Sequence, residues 1–414
     1  MNDNKKLHIA YISYELPPDT SQGGIGTYTL QAALLMAGRG HSAEVFAASN
    51  YRNGQENVQN IIVHRIKCNS QHEFRNEVLP CFSKRHNEQP FDLIESAEIN
   101  GNGYNILNQF PDIPHVVKLH TPSVFIVKLL NTYQPLKIRL RYIAGALLQG
   151  KIDLGYWSRH DKNQFADIDF LTVARASIIT SPSEAMKSWA NKFWRIPEDQ
   201  IKVIANPYVP DPRLINLDIR SNTGVITFLG RLNVLKGLVN LTDTIEQVLR
   251  RRNVRFRIIG KDGPSHINGL SMRNYMHDKL SKYLNKIEFI DGIELHQIPI
   301  YLGNSDIVVI PSLWENFPMV CLEAMLAGRG IVAGNIGGMP EMLENGACGI
   351  LVDPYKPSAI TNAICSLLDN PEERFLIGQN ARNRVLNYYN TEKLANEMEN
   401  IYLSAILKHE KIPA

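Results

Sequence analysis

Short apolar runs that break into a glycine- or proline-bearing loop, and then into a helical segment, recur along this chain. Leu7–Ser13, Val116–Leu119, Ser177–Thr180, Val225–Leu229, Arg255–Ile259 and Ile307–Ile310 are such runs. An apolar run this short reads as a strand buried on both faces, the condition of a parallel sheet covered by helices. Strand, loop, helix and strand in repetition constrain the fold to the α/β class, in doubly wound form. The proline-rich stretch Asn206–Pro212, with Ser221–Gly224 as its far end, divides the runs into two series. The expectation is a first domain over 1–208, a linker over 209–223 and a second domain over 224–385. A C-terminal helix within 386–414, with Leu394, Met398, Ile401, Tyr402 and Ala405 on one stripe, is expected to pack back on the first domain.

Composition bears on which functions are excluded. The chain has 414 residues, 44% hydrophobic and 21% charged, enough apolar surface for two sizeable cores. A formal net charge of +3 is too weak to argue for a nucleic-acid partner. Cys68, Cys81, Cys321, Cys348 and Cys365 form no Cys-x-x-Cys pair, so neither a disulfide framework nor a zinc site is indicated. They read as buried free thiols of a reducing compartment. The polar start MNDNKK lacks the apolar core of a signal peptide, and no apolar run approaches membrane-spanning length. A cytoplasmic protein is expected. Between 123 and 165, Leu136, Leu140, Ile143, Ala144 and Leu147 share one helical face, with Lys137 and Arg141 on another. That helix is expected to pack on the first domain. The sharper alternative is a basic surface that meets the inner face of an anionic membrane or a lipid-linked acceptor. Asp167-Ile168-Asp169 has the look of a metal-binding pair but falls in a helix, where residues two apart face different ways, so it reads as surface charge.

Candidate functional residues gather where runs end. Gly23-Gly24-Ile25-Gly26 stands before a helix expected from about Thr27 to Ala37, where glycines let a backbone approach phosphate. The spacing is not that of the dinucleotide fingerprint. His120 stands at the carboxyl end of its run, facing the expected cleft. Gly230-Arg231-Leu232 and Lys236-Gly237 place two cations at a strand end and helix start, suited to a diphosphate. Gly260–Pro264 is another tight loop at a strand end. After Ile307–Ile310, the stretch Ser312–Gly328 carries Glu315 in a loop and Glu323 on a helix beginning near Pro318.

In order, these motifs, with Gly40-His41, Pro182-Ser183-Glu184 and Gly337-Gly338…Glu341, resemble the retaining GT-B glycosyltransferases, the group 1 family of sucrose synthases and bacterial mannosyl- and glucosyltransferases. The resemblance spans roughly residues 7 to 385. It implies two Rossmann-like domains facing across a cleft and a nucleotide-sugar donor held mainly by the second. By that resemblance Arg231 and Lys236 hold the diphosphate and stabilise it as it leaves. Glu323 accepts from the ribose hydroxyls as an ionised carboxylate, and Glu315 touches hydroxyls of the transferred sugar. His120 faces the sugar from the first domain, and the loop of Gly23 and Gly24 closes on the phosphates, with Gly230 beside them. No metal, cofactor or enzymic nucleophile is implied, and the acceptor is a hydroxyl on a glycan, lipid-linked precursor or small molecule. Many members have glycine near Pro318, so backbone contacts to the donor fall to Asn316, Phe317, Met319 and Val320. A catalytically silent sugar- or lipid-binding module of the same fold and a sugar-nucleotide epimerase are the alternatives. The intact set of Arg231, Lys236, Glu315 and Glu323 weighs against the silent module. A phosphorylase would need a pyridoxal-anchoring lysine, for which no motif is present.

Overall fold

The computed structural model describes residues 6–20, 23–131 and 167–410. The described residues fall into two compact units, one from 6–126, 167–209 and 391–410, the other from 127–131 and 210–390. The helical face expected over 136–147, and with it the membrane-facing alternative, lies outside the described residues. Among those described, no helix is long and apolar enough to cross a membrane.

The first unit is built on eight strands: β1 (His8–Ser13), β2 (Ser42–Ser49), β3 (Gly54–Val58), β4 (Ile61–Lys67), β5 (Leu93–Ala97), β6 (His115–Lys118), β7 (Ile178–Ser181) and β8 (Ile201–Val203). Their order is β3-β4-β2-β1-β5-β6-β7-β8, parallel throughout except for the β3–β4 hairpin at the edge. Apolar side chains of β1, β2 and β5 are fully buried because helices lie on the sheet. The helix Gly24–Gly38 covers part of it through Tyr28, Ala32, Ala33 and Met36. The helix Thr391–Glu410 joins the same core through Leu394, Met398, Tyr402 and Ala405. Its outer side is tied down by Arg39, whose guanidinium bonds Glu399 at 2.7 Å, and by His41, 2.8 Å from the same carboxylate.

The second unit has six strands: β9 (Val225–Leu229), β10 (Arg255–Ile259), β11 (Ile287–Ile290), β12 (Ile307–Ile310), β13 (Gly330–Gly334) and β14 (Ile350–Val352). All are parallel, in the order β11-β10-β9-β12-β13-β14. The order reverses between β9 and β12, as it does between β1 and β5 in the first unit. In such sheets the loops leaving the carboxyl ends on either side of the reversal diverge and leave a crevice, the usual place for a ligand. The buried Asp306, just before β12, accepts from the N–H groups of Thr223 and Gly224 at 2.7 Å each, which fixes the entry to β9.

Two local differences from the sequence reading have physical causes. The first helix starts at Gly24, not near Thr27, so the glycine cluster forms its opening turn. Gly26 belongs there despite glycine's poor helix propensity because a Cβ at that position would lie 2.9 Å from the Glu15 carbonyl oxygen. Asp169 is not surface charge: it is fully buried behind the loop that follows β6.

Candidate functional site

In the second unit, the loops after β9 and β12 leave adjacent strands at the point of reversal, and two backbone features lock them together. The Leu313 N–H donates to the Leu235 carbonyl at 2.8 Å. Gly237, at φ +73°, lies so close that a Cβ would sit 1.8 Å from the Pro311 carbonyl oxygen. The left-handed conformation and the close approach both require glycine. Before it, the turn Val234–Lys236 is capped by Asn233, whose side chain accepts from the Lys236 N–H at 3.1 Å. The result is contact between two residues distant in sequence: Lys236 Nζ is 2.6 Å from Glu315 Oε1. The Ser312 hydroxyl donates to the same oxygen at 2.6 Å. A third loop grips the Glu315 backbone, whose carbonyl accepts from the Gly338 N–H at 2.8 Å. Glu315 is therefore rigid, while the Lys236 side chain keeps 31% of its surface in solvent. Arg231 extends an exposed side chain from the turn that begins at Gly230. That turn is held by the loop after β10, since a Cβ on Gly260 would lie 1.8 Å from the Gly230 carbonyl oxygen.

The helix Met319–Leu326 follows, with Pro318 at its N-cap in extended conformation, where the missing N–H is no loss. Cys321 N–H donates back to the Pro318 carbonyl at 3.0 Å. The N–H groups of Met319 and Val320 belong to the first turn, which has no helical acceptor, and they carry the positive end of the helix dipole. Phe317 is buried and meets Tyr389 edge-on, with ring centroids 5.2 Å apart. The Asn316 side chain accepts from the Trp314 indole. Glu323, on the helix, is buried, and its carboxyl has no ion pair or hydrogen bond among the described residues. Burial pushes its carboxyl up to about 7, so at neutral pH it is divided between acid and carboxylate rather than fully ionised.

In the first unit the structure brings His120 beside the helix that Gly23 and Gly24 open. Its ring meets Tyr28 edge-on, with centroids 5.5 Å apart. A Cβ on Gly24 would meet nothing within 4 Å, so the open side of the first turn has room. The loop after β6 is held by two buried carboxylates, Glu98, to which the sequence reading gave no role, and Asp169, which it placed at the surface. Glu98 accepts the His120 N–H on both oxygens, at 2.8 and 2.9 Å. Asp169 accepts from the N–H groups of Asn100 at 2.6 Å and Ser123 at 2.7 Å. Desolvation, then the neighbouring charge of Asp167, raises Asp169 to about 7. For Glu98 a signal was present, an acidic residue directly after a buried strand. For Asp169 and for Ser312 none was, because their partners are set by the fold. Among the described residues no cluster of His, Cys, Asp and Glu is arranged to hold a metal ion.

Residues 215–384 match the family described as Glycosyl transferases group 1, and residues 22–211 match Glycosyltransferase Family 4. An uncharacterized glycosyltransferase of Methanocaldococcus jannaschii is 24% identical over 97% of this chain and 99% of that protein. A D-inositol 3-phosphate glycosyltransferase of Corynebacterium glutamicum is 33% identical over 40% of each chain. Among solved structures, a sucrose-phosphate synthase of Thermosynechococcus elongatus has a TM-score of 0.74 at 19% identity, covering 97% of this chain and 100% of that one. Anabaena HepE in complex with UDP has a TM-score of 0.65 at 19% identity, covering 97% and 100%. The two parallel-sheet units thus carry a Glycosyltransferase Family 4 region and a Glycosyl transferases group 1 region, together a glycosyltransferase of the GT-B fold.

Proposed function

We propose that the chain is a retaining hexosyltransferase that moves a hexose-type sugar from a nucleoside-diphosphate sugar to a hydroxyl acceptor, without a metal. The observation that carries this reading is the pair Lys236–Glu315 at the reversal of strand order, 2.6 Å apart and beside the free N–H groups that open the helix Met319–Leu326. A cation, a fixed carboxylate and a helix start meet the three needs of such a donor. Lys236 and the exposed Arg231 neutralise the diphosphate and stabilise the charge that develops on it as the glycosidic bond breaks. The first-turn N–H groups add donors to its oxygens. Glu315, held by Ser312 and Lys236, accepts from hydroxyls of the transferred sugar.

Glu323 accepts from the ribose hydroxyls and does so best when ionised. Gly23, Gly24 and Gly230 let backbone approach the phosphates, and His120 faces the sugar. With two cations placed for the diphosphate, a divalent ion is not needed to neutralise it. The acceptor attacks from the face the diphosphate leaves, and a diphosphate oxygen takes its proton, so the anomeric configuration is kept and no enzymic nucleophile takes part. A solved relative bound to UDP makes UDP the first nucleotide to try.

The test is a thermal-shift panel of UDP, GDP, ADP and their sugar conjugates, with and without EDTA, followed by NMR of the product's anomeric centre. Binding to the native state raises the melting temperature by mass action. A shift with one nucleotide that survives EDTA, and a product of unchanged configuration, are expected. An EDTA-sensitive shift overturns metal independence, and an inverted product overturns retention.

A further inference from the structure

At the amino ends of β6 and β7, the opposite end of the first unit's sheet from His120, a solvent-open cavity of about 500 Å³ is lined by His115, Arg175, Ser177, Asn108, Lys408 and His409, among others. Its volume falls in the range of small-molecule sites, roughly 300–1,000 Å³. No carboxylate lines it among the described residues, and neither Arg175 nor Lys408 has an ion-pair partner there. The Lys408 ammonium donates to the Ser177 carbonyl at 2.8 Å and the Arg175 guanidinium to the Tyr104 hydroxyl at 3.0 Å. Each keeps further donors unused. The helices Tyr104–Gln109, Ile168–Val173 and Thr391–Glu410 all end here, and helix C-termini favour nearby cations.

Helix ends do not account for His115. Its residue is 1% exposed, its Nε2 lies 2.7 Å from the Ser96 hydroxyl, and its Nδ1 is buried with no partner. Buried polar atoms are seldom left so. Desolvation holds the imidazole in its neutral form, with its pKa lowered to about 3. If the Ser96 hydroxyl donates to Nε2, the ring proton sits on Nδ1, an atom closed to solvent, so the ring adds no charge to the cavity wall.

We propose that this cavity binds a phosphate group, with Arg175 and Lys408 supplying charge and the buried His115 ring forming part of its wall. Bare phosphate and the phosphate of a small phosphorylated sugar share this chemistry. Calorimetric titration of the full chain with inorganic phosphate and, separately, with glucose 6-phosphate distinguishes them. Equal affinities assign the free ion, and tighter glucose 6-phosphate assigns the sugar phosphate.

The variant Arg175→Gln/Lys408→Gln replaces exposed side chains and should bind about a hundredfold more weakly, about tenfold per cation removed. Lys236→Ala should bind the probes as the wild type does, which separates this site from the donor site of the second unit. No saturable binding of either probe, or binding lost in Lys236→Ala and kept in the double variant, overturns the proposal.

Discussion

At the carboxyl end of the first unit's sheet, Glu98 and Asp169 are fully buried: Glu98 is occupied by the His120 N–H, with the His120 ring 3.4 Å away, and Asp169 by the N–H groups of Asn100 and Ser123. At the same end of the second unit, Glu315 meets a part-exposed lysine and Glu323 meets no partner among the described residues. The two units share a doubly wound plan but use their acids differently. A carboxylate that accepts backbone N–H groups fixes a loop. A carboxylate left without a partner, or paired to a cation that still reaches solvent, keeps capacity for something that arrives. Acidic residues at this end of the first unit's sheet should therefore register in stability, and those at the same end of the second in binding and turnover.

Lys236→Ala should break the contrast most visibly. Loss of one preorganised charge at a site of developing negative charge costs about 10²–10³ in turnover. Its part-exposed ion pair contributes at most about 1 kcal/mol to folding, so the urea midpoint should move little. Near-normal turnover would remove Lys236 from the diphosphate site.

Next in size is Asp169→Ala, which leaves the part-buried N–H groups of Asn100 and Ser123 without their acceptor. A loss of about 2 kcal/mol in unfolding free energy is expected. An unchanged denaturation midpoint would show that this acid is not a fastener.

The third prediction concerns pH. A ribose hydroxyl that donates to Glu323 favours the ionised form, so binding releases a proton wherever the free carboxyl, raised to about 7, is protonated. Affinity for a nucleotide sugar should fall as pH drops below 7, approaching tenfold per unit, and level off above it. In Glu323→Gln that slope should vanish. A wild-type profile flat from pH 5.5 to 8 would show that Glu323 does not change its proton with the donor.

The smallest effect is expected from Tyr402→Phe, which removes a hydroxyl that donates to the buried Glu95 at 2.7 Å. The Tyr28 hydroxyl holds the other oxygen at 2.7 Å, so a loss of about 1 kcal/mol should appear in the urea midpoint. A change in donor affinity without a change in stability would contradict the division of roles.

Legibility in the sequence followed the same physics. Central strands such as β9 and β12 were readable to the residue because burial on both faces demands continuous apolar character. The edge strand β3, GQENV, was not, since its polar side chains face solvent and carry no periodic signal. β8 (IKV) and β11 (IEFI) went unread because a charged residue interrupts each short apolar run, and β13 (GIVAG) because three of its five residues are glycine or alanine. Gly237 and Lys236 were visible as a motif, but their contact with Pro311 and Glu315 joins segments that only the sheet order makes neighbours. Glu323 was legible as a candidate and not as a half-protonated acid, because burial is a property of packing.

The helix Thr391–Glu410 sets an order of events during synthesis. Its residues Leu394, Met398, Tyr402 and Ala405 complete the core of the first unit, yet all of 210–390 is made before them. At roughly 5–20 residues per second, the ribosome takes tens of seconds or less to cross that interval. Throughout it the first unit waits with an open flank of Ile9, Tyr11 and Ala32, and the second unit has its whole chain in hand before that flank is covered. The part begun first is the part finished last, and in the cell a chaperone would find its handle on that flank.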